Sequence, residues 1–219
     1  MNTILITGVS RGIGRATAET FLNNGWLVYG TSTSGSVPFS HDRLTSFQLD
    51  LASAESIENF KQQFGETSLD ALINNAGIGL DEDSAPPIDL TVLRRDIEVN
   101  VFGTIQITEV VHQNINANGK IISISSQMAA LNQSFTYGDP SYRISKAALN
   151  MFTLNLSKDP RLVDKNISVC SFDPGWVKTD MGGPHAPRKP EEPAQELFDL
   201  ITQGFETGKF YRGTSVRDW

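Results

Sequence analysis

The stretch that decides the fold is Ile4-Leu5-Ile6-Thr7-Gly8-Val9-Ser10-Arg11-Gly12-Ile13-Gly14-Arg15-Ala16-Thr17-Ala18-Glu19. It opens with a short apolar run that does not alternate, as a strand buried on both faces of a parallel sheet requires. Gly8, Gly12 and Gly14 follow at once, and a helix-period segment begins beyond them. Glycines let the backbone turn sharply and approach a pyrophosphate closely, while a helix N-terminus supplies free N–H groups and the positive end of a dipole. A strand, a Gly-rich turn and a helix in immediate succession therefore predict a nucleotide-phosphate site formed by Gly8, Ser10, Arg11, Gly12, Ile13 and Gly14.

Working outward, strand-like runs recur at 27–31, 45–49, 69–73, 120–125 and 167–172. Helix-period segments lie between most of them, at 14–24, 53–64, 90–116 and 140–158, whereas 32–44 is rich in Ser, Gly and Pro and reads as loop. That βαβα alternation predicts an α/β protein with a Rossmann-type doubly wound parallel sheet in three layers. No internal repeat or linker interrupts it, so residues 1–219 are expected to form one domain. Pro184, Pro187, Pro190 and Pro193 forbid a continuous helix across 182–193, and a proline-rich substrate loop is expected at about 180–193.

Composition narrows the function classes. With 39% hydrophobic and 20% charged residues the chain is ordinary for a water-soluble domain, and no apolar run approaches the roughly 20 residues that span a bilayer. The net charge of -7 disfavours phosphate-backbone attraction, so neither nucleic acid nor membrane is an expected partner. The first residues lack a basic n-region, which gives a cytoplasmic expectation. Cys170 is the single cysteine and lies in an apolar run, so it reads as a buried strand thiol. His41, His112 and His185 lack ligand spacing, and no metal is expected.

The turn reads T-G-x-x-x-G-x-G, and further motifs follow in order: Asp50, Asn74-Asn75-Ala76-Gly77, Asn100, Ser125-Ser126, Tyr142-x-x-x-Lys146 and Pro174-Gly175. In this the chain resembles the short-chain dehydrogenase/reductase family across nearly its whole length. Asp173-Pro174-Gly175-Trp176-Val177-Lys178-Thr179-Asp180-Met181 further resembles the sniffer-type carbonyl reductase and C-factor-like branches. The resemblance implies an NADP(H)- or NAD(H)-dependent oxidoreductase acting on a small carbonyl or alcohol. Asp50 and Leu51 would line the adenine pocket, and Asn74, Ala76 and Gly77 would approach the adenosine ribose. Pro174, Gly175, Val177 and Thr179 would meet the nicotinamide. For Asn75, a structural role and a cofactor contact stand equal.

An acidic residue at the end of the second strand would accept from the adenosine ribose and repel a 2′-phosphate. Here Thr31-Ser32-Thr33-Ser34 stands in its place, and Arg11 can pair with a phosphate, which favours NADP(H) with NAD(H) as the alternative.

Tyr142 and Lys146 lie one helical turn apart, in a helix that Asp139 as N-cap and Pro140 as first-turn proline would start. A free phenol titrates near ~10, and an adjacent ammonium together with oxidised nicotinamide would favour phenolate, making Tyr142 the general acid/base. By resemblance Ser126, with Ser125 as rival, holds the substrate oxygen, and Asn100 holds a helix kink and a water linking Lys146 to solvent. The runner-up reading is a dinucleotide-binding regulatory or signalling protein with little turnover. Relatives pair their long helix and Tyr-bearing helix across a two-fold axis. Val92, Ile97, Val101, Ile105, Thr108 and Val111, with Ala147, Ala148, Met151 and Phe152, supply apolar faces here, so a homodimer or homotetramer is expected.

Overall fold

The computed structural model describes residues 1–79, 86–132 and 138–219. Eight strands form one sheet: β1 (Thr3–Ile6), β2 (Leu27–Ser32), β3 (Leu44–Gln48), β4 (Leu69–Asn74), β5 (Ile115–Ile124), β6 (Ser168–Phe172), β7 (Lys209–Arg212) and β8 (Ser215–Arg217). Their order is β3-β2-β1-β4-β5-β6-β7-β8, parallel throughout except for the antiparallel β7–β8 hairpin. The chain winds outward from β1 in one direction and, after β4, in the other. The point of reversal lies between β1 and β4, and open α/β sheets bind ligands at the carboxyl ends of the strands there.

The central strands β1, β4 and β6 are largely apolar without alternation because successive side chains enter two separate cores. Ile4 and Ile6 of β1, Ile73 of β4, Ile122 of β5 and Phe172 of β6 pack on one side against α1 (Gly12–Asn23) and α7 (Glu191–Gln203). Leu5, Leu72, Ile121 and Val169 pack on the other, against α2 (Ala54–Phe64), α4 (Thr104–Val111) and α5 (Pro140–Leu156). Cys170 is buried in the first core, as a strand thiol should be. The short α3 (Leu90–Ile97) precedes α4, and α6 (Pro160–Val163) leads into β6.

Four expectations are corrected. The long helix expected over 90–116 is divided: a π-helical turn, Glu98–Gly103, separates α3 from α4, and a 3-10 turn leads into β5 at Ile115. Helical periodicity does not register one residue added to a turn. Asp139 occupies the N-cap position of α5, but in the left-handed region (φ 48°, ψ 46°) and with no side-chain capping bond; Pro140 is in the first turn as expected. The proline-rich segment ends sooner than expected, because α7 begins at Glu191 and takes Pro193 into its first turn, where proline is tolerated. Finally, the expected apolar stripe of the long helix is largely used internally: Val92, Val101, Thr108 and Val111 are buried within this chain.

Phe21 anchors the first core, meeting Trp26 edge-on at 5.0 Å and Phe198 of α7 at 5.1 Å between ring centroids. Phe21→Ala is expected to lower the unfolding free energy by about 3–5 kcal/mol in a denaturant titration. A loss below about 1 kcal/mol would show that α1 and α7 are not held through this cluster.

Candidate active site

At the carboxyl edge of the sheet a cleft of about 780 Å³ runs from the end of β2 to the start of α5. Its phosphate end is built by the Gly-rich turn. A Cβ on Gly14 would lie 2.1 Å from the Gly8 carbonyl oxygen and 2.3 Å from Asn75 Nδ2, so only glycine permits this close fold of the turn. Asn75 braces it, with Nδ2 donating to the carbonyls of Thr7 at 2.8 Å and Gly8 at 3.0 Å. Thr7 Oγ1 accepts from the backbone N–H groups of Asn75 and Ala76, both at 3.0 Å. Beyond the turn, α1 starts with no side-chain cap and no acidic residue in its first turn. Its leading N–H groups and positive dipole end therefore face the cleft without a built-in anion, which suits a pyrophosphate.

At the other end stand Tyr142 and Lys146 of α5. Lys146 is buried, its Nζ donating to the Ile124 carbonyl at 3.0 Å and lying 5.7 Å from the centroid of the Tyr142 ring. Burial pushes the Lys146 ammonium down to about 8, with the Asp96 carboxylate opposing. Burial pushes the Tyr142 phenol up to about 12; a hydrogen bond with Ser126 acts against this, and Asp173, Asp96 and Asp139 add to it. The expected lowering of Tyr142 counted the charge of oxidised nicotinamide together with the ammonium, and the ammonium alone does not produce it. In the protein alone desolvation dominates, and Lys146 Nζ is bonded to a backbone carbonyl.

Ser126 Oγ also accepts from Met128 N at 3.1 Å, whereas Ser125 is buried with no partner for its Oγ among the described residues. Asn100 lies in the π-helical turn. Its Oδ1 accepts from Ile78 N at 2.8 Å, and its Nδ2 donates to Ile78 O at 2.8 Å and to Ser145 Oγ at 2.9 Å. A Cβ on Gly77 would lie 2.9 Å from Asn100 Oδ1 and 3.2 Å from Lys146 Nζ, so the segment after β4 presses directly on both side chains.

The cleft gathers Gly8, Ser10, Arg11, Gly12, Ile13, Gly14, Thr31, Asp50, Leu51, Ala76 and Gly77 with Ser126, Tyr142, Lys146, Pro174, Gly175, Val177 and Thr179. Asn100 stands behind it. Asn74 does not reach it: its Nδ2 donates to Thr108 Oγ1 at 2.9 Å inside the second core, and Asn75 lines the cleft instead. The sequence reading also missed Ile78, Gly79, Arg95, Val99, Gln127, Met128, Trp176, Asp180 and Met181 on its walls. Several directly follow quoted motifs, and that adjacency was the available signal. The irregular stretch 129–138 is also expected from the sequence to line the substrate end, and of it residues 133–137 lie outside the described residues. Among the described residues no three His, Cys, Asp or Glu side chains group to hold a metal ion, and no helix is long and apolar enough to cross a membrane.

A family model for short chain dehydrogenases matches residues 2–190, and the chain belongs to this family of oxidoreductases. It is 31% identical over 209 residues to the 1-hydroxy-2-glutathionyl-2-methyl-3-butene dehydrogenase of Rhodococcus sp. (strain AD45), covering 92% of this chain and 91% of that one. Among solved structures it is similar to a short-chain dehydrogenase/reductase from Burkholderia multivorans with bound NADP, with a TM-score of 0.91, 26% identity and coverage of 100% and 99%. It is likewise similar to the carbonyl reductase Sniffer of D. melanogaster, with a TM-score of 0.85, 25% identity and full coverage of both chains.

The two shifted groups give stability a pH signature. Between about 8 and the ordinary 10.5 the folded protein has released the Lys146 proton that the unfolded chain still holds, so stability rises as pH climbs through that window. Between the ordinary 10 and about 12 the folded protein keeps the Tyr142 proton that the unfolded chain has lost, so stability falls there. Urea unfolding of wild type and Lys146→Met at matched pH values should show the first rise in wild type only. An equal rise in both would assign it to other groups.

Proposed function

We propose that the chain is an NADP(H)-dependent carbonyl reductase, moving a hydride between nicotinamide and a small carbonyl or alcohol. The observation that carries the reading is that Ser126, Tyr142 and Lys146 line the same cleft as the uncapped start of α1. The bound NADP of the Burkholderia multivorans protein and the carbonyl reductase activity named for Sniffer support it. The dinucleotide fits the residues present: the α1 N–H groups hold the pyrophosphate, Arg11 pairs with the 2′-phosphate, and Thr31 to Thr33 put no carboxylate against it. Asp50 and Leu51 flank the adenine, Ala76 and Gly77 the adenosine ribose, and Pro174, Gly175, Val177 and Thr179 the nicotinamide.

When bound, the nicotinamide supplies the hydride to a carbonyl carbon or takes it from an alcohol carbon. The chain manages the proton. Tyr142, its phenol held protonated well above neutral pH, gives its proton to the carbonyl oxygen as negative charge develops there. Ser126 donates a hydrogen bond to the same oxygen. Lys146 binds the nicotinamide ribose, and Asn100 holds α5 in place through Ser145. The wall formed by Trp176 and Met181, with the segment up to Pro190, covers the substrate.

Purified protein should enhance NADPH fluorescence on binding and oxidise it with some member of an aldehyde and ketone panel. Tyr142→Phe should lower kcat by about 10²-fold or more with NADPH affinity nearly intact, the range general acid catalysis supplies. Wild-type-like turnover in that variant removes Tyr142 from the chemistry, and binding without turnover across the panel favours a regulatory role.

We further propose a homodimer formed by the outer faces of the π-helical turn and α5. Phe102, Ile144 and Met151 leave 49%, 41% and 59% of their surface exposed there, an apolar face that the internal packing does not use. Light scattering at micromolar concentration should give a dimer or tetramer mass, and a monomer would reject this interface.

A further inference from the structure

Arg11 is expected to read the 2′-phosphate, yet its guanidinium already has an anion. Nη1 lies 2.5 Å from Asp180 Oδ2, joining the Gly-rich turn to the segment after β6 across the cleft. Thr179 touches the same turn, its Cγ2 3.1 Å from where a Cβ on Gly12 would stand. Asp180 is presented by a structured turn. Gly183 N donates to Thr179 O at 2.8 Å, Gly182 N to Thr179 Oγ1 at 3.1 Å, and the Trp176 indole N–H to Gly182 O at 2.7 Å. The side chains of Arg11 and Asp180 are 75% and 73% exposed, so an entering anion can reach the guanidinium.

We infer that Asp180 sets how strongly the chain prefers NADPH over NADH, by competing with the adenosine 2′-phosphate for Arg11. The inference rests on the NADP(H) reading above. Besides Arg11, the cationic side chains among the described residues that line the cleft are Arg95 on α3 and Lys146, and Lys146 is buried beside Tyr142. The turn is bonded to the end of β2, where Thr31 O accepts from Val9 N at 2.8 Å and Thr31 Oγ1 from Gly8 N at 3.3 Å. Arg11 therefore follows two residues after the contact with the uncharged strand end that would carry an acidic residue in an NAD(H) site. A carboxylate and a phosphate present similar oxygens to the same guanidinium fork. The 2′-phosphate must displace Asp180 or share the guanidinium with it, so Arg11 discriminates less than it would alone. NADH makes no such demand.

The test titrates NADPH and NADH, by nicotinamide fluorescence, into full-length wild type, Asp180→Asn, Arg11→Ala and the double variant. Asp180→Asn is expected to raise the ratio of NADPH to NADH affinity by about two- to fivefold at low ionic strength, the scale of one exposed charge pair. The gain should shrink as salt screens the pair. Arg11→Ala should lower the ratio, and adding Asp180→Asn to it should leave the ratio unchanged. Using the ratio removes any repulsion of Asp180 from the pyrophosphate that both cofactors share. An unchanged or lowered ratio in Asp180→Asn overturns the competition, as does an equal gain in the Arg11→Ala background. If wild type binds neither cofactor, the NADP(H) reading itself fails, an outcome distinct from either.

Discussion

Asn100 is fully buried in the π-helical turn between α3 and α4, and its amide bonds to two other parts of the chain. Through Ile78 it fixes the segment after β4, and through Ser145 it fixes α5. A π turn forfeits regular α-helical geometry and occurs mostly at functional sites. Here the widened turn carries an amide between two backbone groups of Ile78, each of which would cost about 1–3 kcal/mol if left buried without a partner. Ser145 immediately precedes Lys146 and also bonds back to the Tyr142 carbonyl at 2.8 Å. The rotation of α5, and with it the direction in which Tyr142 and Lys146 face, is therefore tied to the segment after β4, whose residues Ala76 to Gly79 line the cleft.

Burial acts on both ends of that pair in the same sense, toward the neutral form. The phenol is pushed up and the ammonium down, because each would leave water to ionise. Asp96 is the largest charged neighbour acting on Lys146, and it acts on Tyr142 as well, raising both groups and so favouring protons on both. Asp139 and Asp173 add to this at Tyr142. On the proposed reading, a phenol in such a negative field keeps its proton until negative charge develops on a carbonyl oxygen beside it. Alcohol oxidation needs phenolate, which requires positive charge to arrive, and oxidised nicotinamide brings it.

What the sequence disclosed is what short-range pattern can carry. The run from Ile4 to Gly14 marks a strand, a turn and a helix start, and Tyr142 with Lys146 marks one helical face. Features that depend on a partner far away were not legible: Arg11 and Asp180 are 169 positions apart, and nothing local links them. Asn74 is an intermediate case. Side chains alternate along a strand, so Asn74 shares the face of Leu72, and strand parity alone would have sent it into the second core and left Asn75 to brace the turn. Asp139 obeyed the capping rule in position only, since its left-handed backbone comes with no side-chain cap. The last elements were missed for a different reason: α7 begins among prolines, and the strands of the hairpin have four and three residues, too short for periodicity to mark.

That short hairpin matters to the cleft through charge more than through sheet pairing. Asp173, at the end of β6, is almost fully buried, and its carboxylate bonds to Arg217 of β8 and, at 2.9 Å, to the Gly175 N–H. Arg212 of β7 stands 3.6 Å away and donates to Gln127 Oε1 at 3.3 Å, beside Ser126. Arg188 donates to the Pro174 carbonyl at 2.6 Å and pairs with Glu196 of α7 at 2.5 Å. A buried carboxylate without a counter-charge carries a desolvation penalty of several kcal/mol, so Asp173 needs the arginines that β7 and β8 deliver. Arg217 is itself held over the Phe210 ring, 5.0 Å from its centroid, which limits its freedom to leave. The Pro174–Gly175 turn is consequently fixed from behind by the guanidinium groups of Arg212 and Arg217 from the hairpin and of Arg188 from the segment before α7. Because Val177, Thr179 and Asp180 hang from that turn, the wall opposite the Gly-rich turn keeps its position by electrostatics that begin in the last strand of the sheet.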